Sequence, residues 1–509
     1  MRIVLINTEI NRAFASINYE THKNIDEQYQ FIKQTVLANE TFTDDEKTEA
    51  IRRINKTYDH NKIFHNIGTK RICEICNCEC LATLYCEYCI RNYLEKKFPN
   101  WTSGNNDIDN LIKKCQMETR RPDVVIEWIP YNNLQDIEYL TKGGFSEIYT
   151  AIWNNGKYQK WDSEEQHLKR FGGQKVILKR LEHVENANQR WFKEAESHLT
   201  ISSKSPYIVQ CYGLTRDPSN GDYMLVMNRM DLNLREYLQQ KNNQLTWKKR
   251  IHLVYNIITA LRQIHKEDAI HRDLHSGNIL LKQVNQRLFI SDLAFCGPAD
   301  KSPNDVYGNL PYIAPEVISN KGYTFKSDIY SIAMLMWEIS SGQPPFNNCK
   351  HNCCLAIRII NGERPIIISR TPLEYENLMK QCWDDDPLKR PDITTLWEKI
   401  NEIYKKYLNM PNELEENNNL EINKTNSLKE AKERSSILFT SSKIRNCENC
   451  PEPRNVTEAF HNATNNVFSI PDNISDFGKP SNREPGIYQK VSNFLKVIIN
   501  SFKLSIVAT

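Results

Sequence analysis

Three side chains that bear oxygen at fixed spacing are the strongest chemical signal in the sequence. Asp273 and Asn278 lie five residues apart in the run HRDLHSGN (271–278), and Asp292 follows nineteen residues after Asp273, at the end of an apolar run. A carboxylate can accept the proton of a hydroxyl group, and carboxylate and amide oxygens are hard ligands that suit Mg²⁺. We therefore predict that Asp273 is a proton acceptor and that Asn278 and Asp292 bind Mg²⁺, which is the chemistry of phosphoryl transfer.

A lysine and a carboxylate further upstream supply the other charges that this chemistry needs. Lys179 ends an apolar strand predicted over 176–179, where it is expected to contact the α- and β-phosphates of a nucleotide. Glu194 follows fifteen residues later, in a stretch with helical periodicity. We assign Glu194 as the partner of Lys179, and Glu196 remains a competing candidate because periodicity does not separate the two.

Two further segments are predicted to contact a nucleotide. The first is a hairpin, LTKGGFSEI (140–148), whose two glycines let the backbone approach phosphate. The second is a hinge that follows the apolar run 225–227, where Met227 would guard the back of an adenine pocket or simply pack. The residues assigned to nucleotide binding, besides Lys179, are Leu140, Thr141, Lys142, Gly143, Gly144, Phe145, Ile148, Met227, Asn228 and Met230.

Two later motifs predict an ion pair that holds a substrate platform in place. Glu316 ends the triplet Ala-Pro-Glu, and Arg390 lies in the run CWDDDPLKRP (382–391). If this pair is buried, the loss of one partner should cost about 3–5 kcal/mol, because the other charge is left unpaired.

Together these motifs resemble the protein-kinase family over roughly residues 131–405. The runs HRDLHSGN, DLAFCGPA (292–299) and CWDDDPLKRP are more narrowly similar to the tyrosine-kinase-like groups that are expanded in some fungi. The resemblance implies an α+β bilobal fold, with a small lobe made of a five-stranded sheet and a helix, a large helical lobe, and ATP between them. It also implies Mg²⁺ as a cofactor and transfer of the γ-phosphate to hydroxyl groups of protein substrates in intracellular signalling.

The sequence departs from the family pattern at three glycines, which are replaced by Thr141, Ser146 and Ala294. A Cβ at a position that requires φ > 0 costs up to roughly 1–2 kcal/mol. The polar residues assigned to chemistry all remain, so an active kinase is the favoured interpretation. A nucleotide-binding pseudokinase that acts as a scaffold is the alternative.

The sequence gives weaker signals for the type of residue that accepts the phosphate and for how the activity is regulated. His275 stands where many serine/threonine kinases carry lysine, and Asn309 stands where threonine is usual. Serine and threonine are favoured as acceptors, and tyrosine stays open. Arg272 beside the catalytic Asp273 suggests control by a phosphate on Ser302 or Tyr307, because arginine forms bidentate pairs with phosphate.

A separate cysteine cluster precedes the kinase-like region. Cys73-x-x-Cys76 and Cys86-x-x-Cys89 form two knuckles separated by nine residues, a pattern that suits a closed structural Zn²⁺ site with four thiolates. Cys78 and Cys80 lie between them and leave the ligand set ambiguous. Unligated thiols in a short hairpin and a redox pair remain the alternatives.

Composition bounds the class of protein. The balance of 66 basic and 63 acidic residues leaves a net charge of +3, which argues against a protein that coats polyanions. No apolar run is long enough for a transmembrane segment. Fifteen cysteines, an odd and clustered set without a secretory signal, favour a cytoplasmic protein.

We predict four regions: a helical N-terminal region (1–70), a Cys-rich zinc-binding region with a linker (71–127), a kinase domain (131–405) and a mostly disordered tail (406–509). Residues 1–125 are the candidate surface for protein partners. Nucleic acid is not an expected partner, because the charges that flank the cysteines are mixed.

Overall fold

A computed structural model describes residues 2–18, 20–142, 146–181, 190–283, 287–297 and 308–408. The chain divides into two compact units, Met1–Arg229 and Met230–Thr509. Several predicted features lie outside the described residues, namely Gly143, Gly144, Phe145, Ser302, Tyr307 and the tail from residue 409 onward.

Three helices open the first unit: α1 (Arg2–Ala15), α2 (Ile25–Leu37) and α3 (Asp44–His65). A capping box begins α3, in which the Thr43 hydroxyl accepts from the N–H of Glu46 and the Glu46 carboxylate accepts from the N–H of Thr43. Ala50 and Ile54 lie on one face of α3, because residues four apart share a helix face, and they are buried in a common apolar core with α1 and α2.

The Cys-rich segment forms a short hairpin and two helices. Its elements are β1 (Arg71–Ile72), β2 (Glu79–Cys80), α4 (Glu87–Glu95) and α5 (Asn106–Met117). Residues 154–173 are a polar stretch that we call the insertion, and they contain a second hairpin, made of β6 (Tyr158–Asp162) and β7 (His167–Arg170). Trp161 and Leu168 of this hairpin are buried in one core with cysteines of the Cys-rich segment and residues of α4. The insertion is therefore packed against the Cys-rich segment.

A six-stranded sheet completes the first unit, in the order β3-β9-β10-β8-β5-β4. Its strands are β3 (Glu127–Trp128), β4 (Leu134–Lys142), β5 (Glu147–Trp153), β8 (Gln174–Arg180), β9 (Cys211–Arg216) and β10 (Tyr223–Asn228), and helix α6 (Arg190–Ser202) follows β8. Five strands pair antiparallel, which matches the five-stranded sheet that the family resemblance implies. The short β3 adds a sixth strand, parallel to β9. Glycine at 213 permits this pairing, because a Cβ there would lie 1.7 Å from the carbonyl oxygen of Glu127.

The second unit is mainly helical. Its helices are α7 (Leu234–Lys241), α8 (Trp247–Lys266), α9 (Pro315–Ile318), α10 (Phe325–Ser341), α11 (Cys353–Ile360), α12 (Leu373–Cys382) and α13 (Ile393–Leu408). The strands β11 (Leu232–Asn233), β12 (Ile279–Lys282) and β13 (Arg287–Ile290) form one antiparallel sheet.

Helix α10 is the core of this unit, because every residue from 327 to 340 is buried. The predicted α+β class of the kinase-like region, in which a mainly β portion with the six-stranded sheet precedes a mainly helical portion, is confirmed. Among the residues that the structure describes, no helix combines the length and apolarity needed to cross a membrane.

Candidate functional site

The first unit pairs the predicted lysine with one of its two candidate carboxylates. Lys179 on β8 places its Nζ atom 2.8 Å from Oε1 of Glu194 on α6. Both side chains are nearly buried, with 7% and 11% of their surfaces exposed. Glu196, the competing candidate, is exposed. A buried charge needs a partner, so this pair fixes α6 against the sheet at the end of β8.

The predicted phosphate-covering hairpin is described on both sides of its tip. Leu140, Thr141 and Lys142 end β4, and Thr141 pairs with Ile148 on β5. Two of the positions that replace family glycines, Thr141 and Ala294, do not have positive φ angles. The steric cost predicted for these two replacements therefore does not arise in this conformation.

The predicted adenine-facing residues lie at the end of β10 and just beyond it. Met227 is buried and pairs with Ile177 of β8, so its packing role is visible in the sheet itself. The backbone N–H of Asn228 donates to the carbonyl of Gln210 at 2.9 Å. Met230 is the first residue of the second unit. Their contact with a nucleotide stays a prediction.

In the second unit, the catalytic-loop backbone is held by Asp328 in the first turn of α10. Its carboxylate accepts from the N–H groups of His271 and Arg272 at 2.8 and 3.0 Å. Nε2 of His265 lies 2.9 Å from the same carboxylate. Burial by itself would raise the pKa of Asp328, but the hydrogen bond and the charge interaction with His265 lower it below its usual value. This role of Asp328 was not identified from the sequence. The signal that could have identified it is an acidic residue in the first turn of a helix that is otherwise mainly apolar and buried.

Asp273 and Asn278 are in direct contact. The Nδ2 group of Asn278 donates to the Asp273 carbonyl at 2.9 Å and to its carboxylate Oδ2 at 3.0 Å. An amide nitrogen has two hydrogens, so these two bonds use both of them and leave the amide oxygen of Asn278 to face other ligands. Gly308 approaches from the segment before α9. A Cβ there would lie 3.1 Å from Oδ1 of Asp273, and its φ of +110° favours glycine.

Asp292 follows β13 and adopts a left-handed backbone conformation, with φ of 54°. Its Oδ1 accepts from the N–H of Ala294 at 3.3 Å. The preceding Ser291 donates its N–H and its hydroxyl to the carbonyl of Asn278, at 2.9 and 3.0 Å. The structure therefore joins the two predicted Mg²⁺ ligands through one residue. Carboxylate and amide oxygens of this kind fit the donor set that Mg²⁺ prefers.

His275 is oriented toward the catalytic carboxylate. Its Nδ1 accepts from the N–H of Gly277 at 3.1 Å, so a neutral ring carries its proton on Nε2. Nε2 lies 3.7 Å from Oδ2 of Asp273.

A polar network of Tyr312, Glu338, Ser276 and Arg235 lies next to His275 in the fold, and it was not identified from the sequence. The Tyr312 hydroxyl donates to Glu338 and lies 3.3 Å from the Ser276 hydroxyl, and Arg235 lies 3.7 Å from Glu338. Burial raises the pKa of Tyr312 well above its usual value, and the charge of Glu338 raises it further.

Arg272, which the sequence analysis links to control by phosphate, contacts the segment after Asp292. Arg272 donates from its guanidinium to the carbonyl of Phe295 at 2.8 Å, within the segment that follows Asp292.

Arg390 makes a bidentate pair with Glu316, with N–O distances of 2.6 and 2.8 Å. The Arg390 side chain is fully buried and only 8% of the Glu316 side chain is exposed. The ion pair that the motifs predict is therefore formed, and it is buried.

The four knuckle cysteines converge in the first unit. The sulfur atoms of Cys73, Cys76, Cys86 and Cys89 all lie within 4.8 Å of one another. Cys73 and Cys89 are 3.7 Å apart, and Cys76 and Cys86 are 3.5 Å apart. Tetrahedral thiolates at a Zn–S distance of about 2.3 Å are separated by about 3.8 Å, whereas a disulfide requires about 2.05 Å. The donor set and its spacing therefore fit Zn²⁺.

The two extra cysteines lie outside this group. The Cys78 sulfur contacts the carbonyl of Cys76 at 3.4 Å. Cys80 is close to Cys86 and Glu87, in a second group of three potential ligands. One carboxylate oxygen of Glu87 already accepts from the N–H groups of Leu81 and Ala82, which fits a role in shaping the loop.

Comparison with known proteins agrees with the motif order. A family model described as protein tyrosine and serine/threonine kinase matches residues 134–400. The chain is 26% identical over 295 residues to the "Probable serine/threonine-protein kinase roco7" of Dictyostelium discoideum, covering 55% of this chain and 10% of that protein. It is 25% identical over 295 residues to "Probable serine/threonine-protein kinase pats1" of the same organism, covering 54% and 9%. A LIM domain-containing serine/threonine-protein kinase of Dictyostelium discoideum is 28% identical over 207 residues, covering 40% and 31%. The chain therefore spans about a tenth to a third of the length of these relatives.

Proposed function

The chain belongs to the protein tyrosine and serine/threonine kinase family, and from that membership we propose that it transfers the γ-phosphate of ATP to protein hydroxyl groups. Serine and threonine are the favoured acceptors, because the relatives reported above are named serine/threonine-protein kinases. Tyrosine stays open, since the family description covers both acceptors.

The contact between Asn278 and Asp273 is the observation that supports this proposal most directly. The amide group of Asn278 holds the Asp273 carboxylate from one side at 3.0 Å. Asp273 has a second oxygen, Oδ1, which can accept the proton of an incoming hydroxyl group. A carboxylate that is already held in one orientation loses less conformational freedom when substrate binds. The contact also places the proposed proton acceptor, Asp273, beside a proposed Mg²⁺ ligand, Asn278.

The remaining charges have separate tasks. Lys179, oriented by Glu194, contacts nucleotide phosphates, and a buried lysine that is paired with a carboxylate suits that role. Asn278 and Asp292 would hold Mg²⁺ through their amide and carboxylate oxygens. When bound, Mg²⁺ neutralises negative charge that develops on the transferred phosphate.

Transfer of phosphate from radiolabelled ATP, compared between the wild type and Asp273→Asn, tests the proposal. Loss of a general base lowers the rate by about 10²- to 10⁴-fold, so the variant should be nearly silent while it still binds nucleotide. Equal signals from both proteins would instead support the alternative, a nucleotide-binding pseudokinase scaffold. Site mapping of the labelled protein identifies the acceptor type in the same experiment.

We also propose a structural Zn²⁺ held by Cys73, Cys76, Cys86 and Cys89. Four thiolates leave no open coordination position, so the ion would have a structural role and no catalytic one. Trp161 and Leu168 of the insertion are buried in the same core as these cysteines. Zn²⁺ would therefore stabilise the Cys-rich hairpin together with the insertion that packs on it.

The cellular compartment and the protein partners are also proposals. We propose that the protein acts in cytoplasmic signalling, because the cysteines of the described residues form no disulfide bonds and four of them converge as a candidate metal site, a use of cysteine that reducing compartments favour. Residues 1–125 stay the proposed surface for protein partners. The four regions predicted from the sequence remain part of this proposal.

A further inference from the structure

A pocket of about 420 Å³ lies on the second unit, between α7, the start of α8 and the end of β12. Its apolar part is formed by Leu232, Tyr237 and Leu245. Three glutamines and two lysines, Lys241 and Lys249, complete the lining. The lining therefore combines these three apolar side chains, which we call the apolar floor, with amide and ammonium groups, of which we call the two lysines the lysine edge.

The two lysines at this edge have no carboxylate partner in the described part of the chain. Both are exposed, and neither forms a salt bridge with another described residue. Two positive charges beside an apolar floor favour a ligand that carries carboxylates next to apolar side chains.

The chain leaves the described structure beside this pocket. At the end of α13, the carbonyl oxygen of Leu408 accepts from Nζ of Lys248 at 3.3 Å. Lys248 directly precedes the pocket residue Lys249, and neighbouring Cα atoms are about 3.8 Å apart. The residues after Leu408 therefore start close to the lysine edge.

The segment that follows has the matching chemistry. Residues 412–422 read NELEENNNLEI, with four glutamates, no lysine or arginine, and leucines at 414 and 420. An extended chain covers roughly 3.3 Å per residue, so the five residues 409–413 span about 17 Å. The tether also keeps the segment at a high effective concentration near the pocket.

We propose that residues 412–422 bind this pocket in cis. Leu414 contacts the apolar floor, and the flanking Glu413, Glu415 and Glu416 pair with Lys241 and Lys249. The pocket is thereby a docking site for an acidic peptide that contains leucine, and the chain supplies the occupant itself. This inference is independent of the phosphotransfer proposed above.

Zero-length carbodiimide cross-linking of the full chain, followed by peptide mass spectrometry, tests the docking. We expect amide cross-links from Lys241 or Lys249 to Glu413, Glu415 or Glu416. They should fall to the background without reagent in L414S, which keeps every lysine and glutamate that can be cross-linked, and also at about 0.5 M salt, where the Debye length is only about 4 Å. The matched control is L388S, which makes the same change at an exposed leucine outside the pocket lining. It should keep the cross-links.

A charge swap makes the test independent of folding defects. K241E/K249E combined with E413K/E415K/E416K should recover cross-links between the same positions, now with the charges exchanged. Equal mixtures of isotopically heavy and light chains distinguish cis docking from pairing between copies. Cross-links that join heavy to light chains, that persist undiminished in L414S, or that connect the pocket only to other acidic segments would overturn the proposal.

Discussion

Nε2 of His275 lies 3.7 Å from the carboxylate Oδ2 of Asp273. The N–H of Gly277 donates to Nδ1 of His275, so a neutral ring carries its proton on Nε2. This protonated nitrogen faces Asp273, the proposed base. In enzymes without substrate such contacts are often long and shorten when the reacting groups bind. His275 therefore supplies a hydrogen-bond donor where many serine/threonine kinases carry lysine.

Replacement of His275 tests this positional role. His275→Ala removes the donor and should lower kcat/KM by roughly 10- to 100-fold, because a hydrogen bond to a charged group contributes about 1.5–3 kcal/mol. His275→Lys restores a donor and should recover most of the activity toward serine peptides. Steady-state kinetics with matched serine and tyrosine peptides provide the measurement. Unchanged kcat/KM in His275→Ala would show that the ring is only a packing residue.

Glu194 and Glu196 give a direct comparison on one helix. Glu194→Gln should lower kcat/KM by about 10²-fold, because Lys179 loses the charge that positions it. Glu196→Gln removes the same charge from an exposed position and should have little effect. A large loss in Glu196→Gln, with a small loss in Glu194→Gln, would contradict the assignment.

Metal analysis tests the cysteine site. The purified full chain should contain about one Zn²⁺, and Cys73→Ser or Cys89→Ser should lose it. A strong chelator should lower Tm by at least about 5 °C, because metal binding contributes to folding free energy.

Cys78→Ser is the matched control for these variants, because Cys78 lies outside the group of four converging sulfurs. It should retain the metal and the Tm. If the wild type contains no Zn²⁺, or if Cys78→Ser loses as much as Cys73→Ser, the four-thiolate site is wrong.

The buried pair of Glu316 and Arg390 predicts a stability difference. Glu316→Gln should lower the free energy of unfolding by about 3–5 kcal/mol, since it leaves the Arg390 charge buried without its partner. The double variant Glu316→Leu/Arg390→Met should cost less than this single change, because it buries no unpaired charge. Urea unfolding of the three proteins measures both quantities, and a cost below about 1 kcal/mol for Glu316→Gln would refute the argument.

Asp328 predicts a dependence of stability on pH. Its pKa in the folded protein is lowered, while an unfolded aspartate titrates near pH 3.9. The ionised carboxylate therefore stabilises the fold above about pH 4, and this contribution is lost as the pH falls through the lower folded-state pKa. Asp328→Asn should be less stable than the wild type at neutral pH, and the difference should narrow below about pH 4. A difference that stays constant from about pH 6 to pH 3, measured by chemical unfolding, would exclude this linkage.

The order of motifs was accessible from the sequence because each motif is local. The spacing of Asp273 and Asn278 within one short loop is set by a few backbone angles, so residue type and separation already indicate a contact. The capping box at Thr43 and Glu46 is local in the same way. The family match to residues 134–400 agrees with this part of the sequence analysis.

Contacts between distant segments needed the folded chain. Glu194 and Glu196 lie two residues apart on a helix, which turns them to nearly opposite faces, and only the packing of α6 shows which of them meets Lys179. The role of Asp328 depends on a loop 56 residues away in the chain. The burial of Trp161 beside the cysteines depends on where an insertion folds back.

The amino-acid sequence alone determined the family, the polar residues of the catalytic loop and the pattern of paired cysteines, because these depend on residue type and short-range spacing. The tertiary structure decided which carboxylate pairs with Lys179, how far apart the four sulfurs lie and which lysines border a pocket. These are distances between residues far apart in the chain, and they are set by the packing of the whole core, which no local pattern encodes.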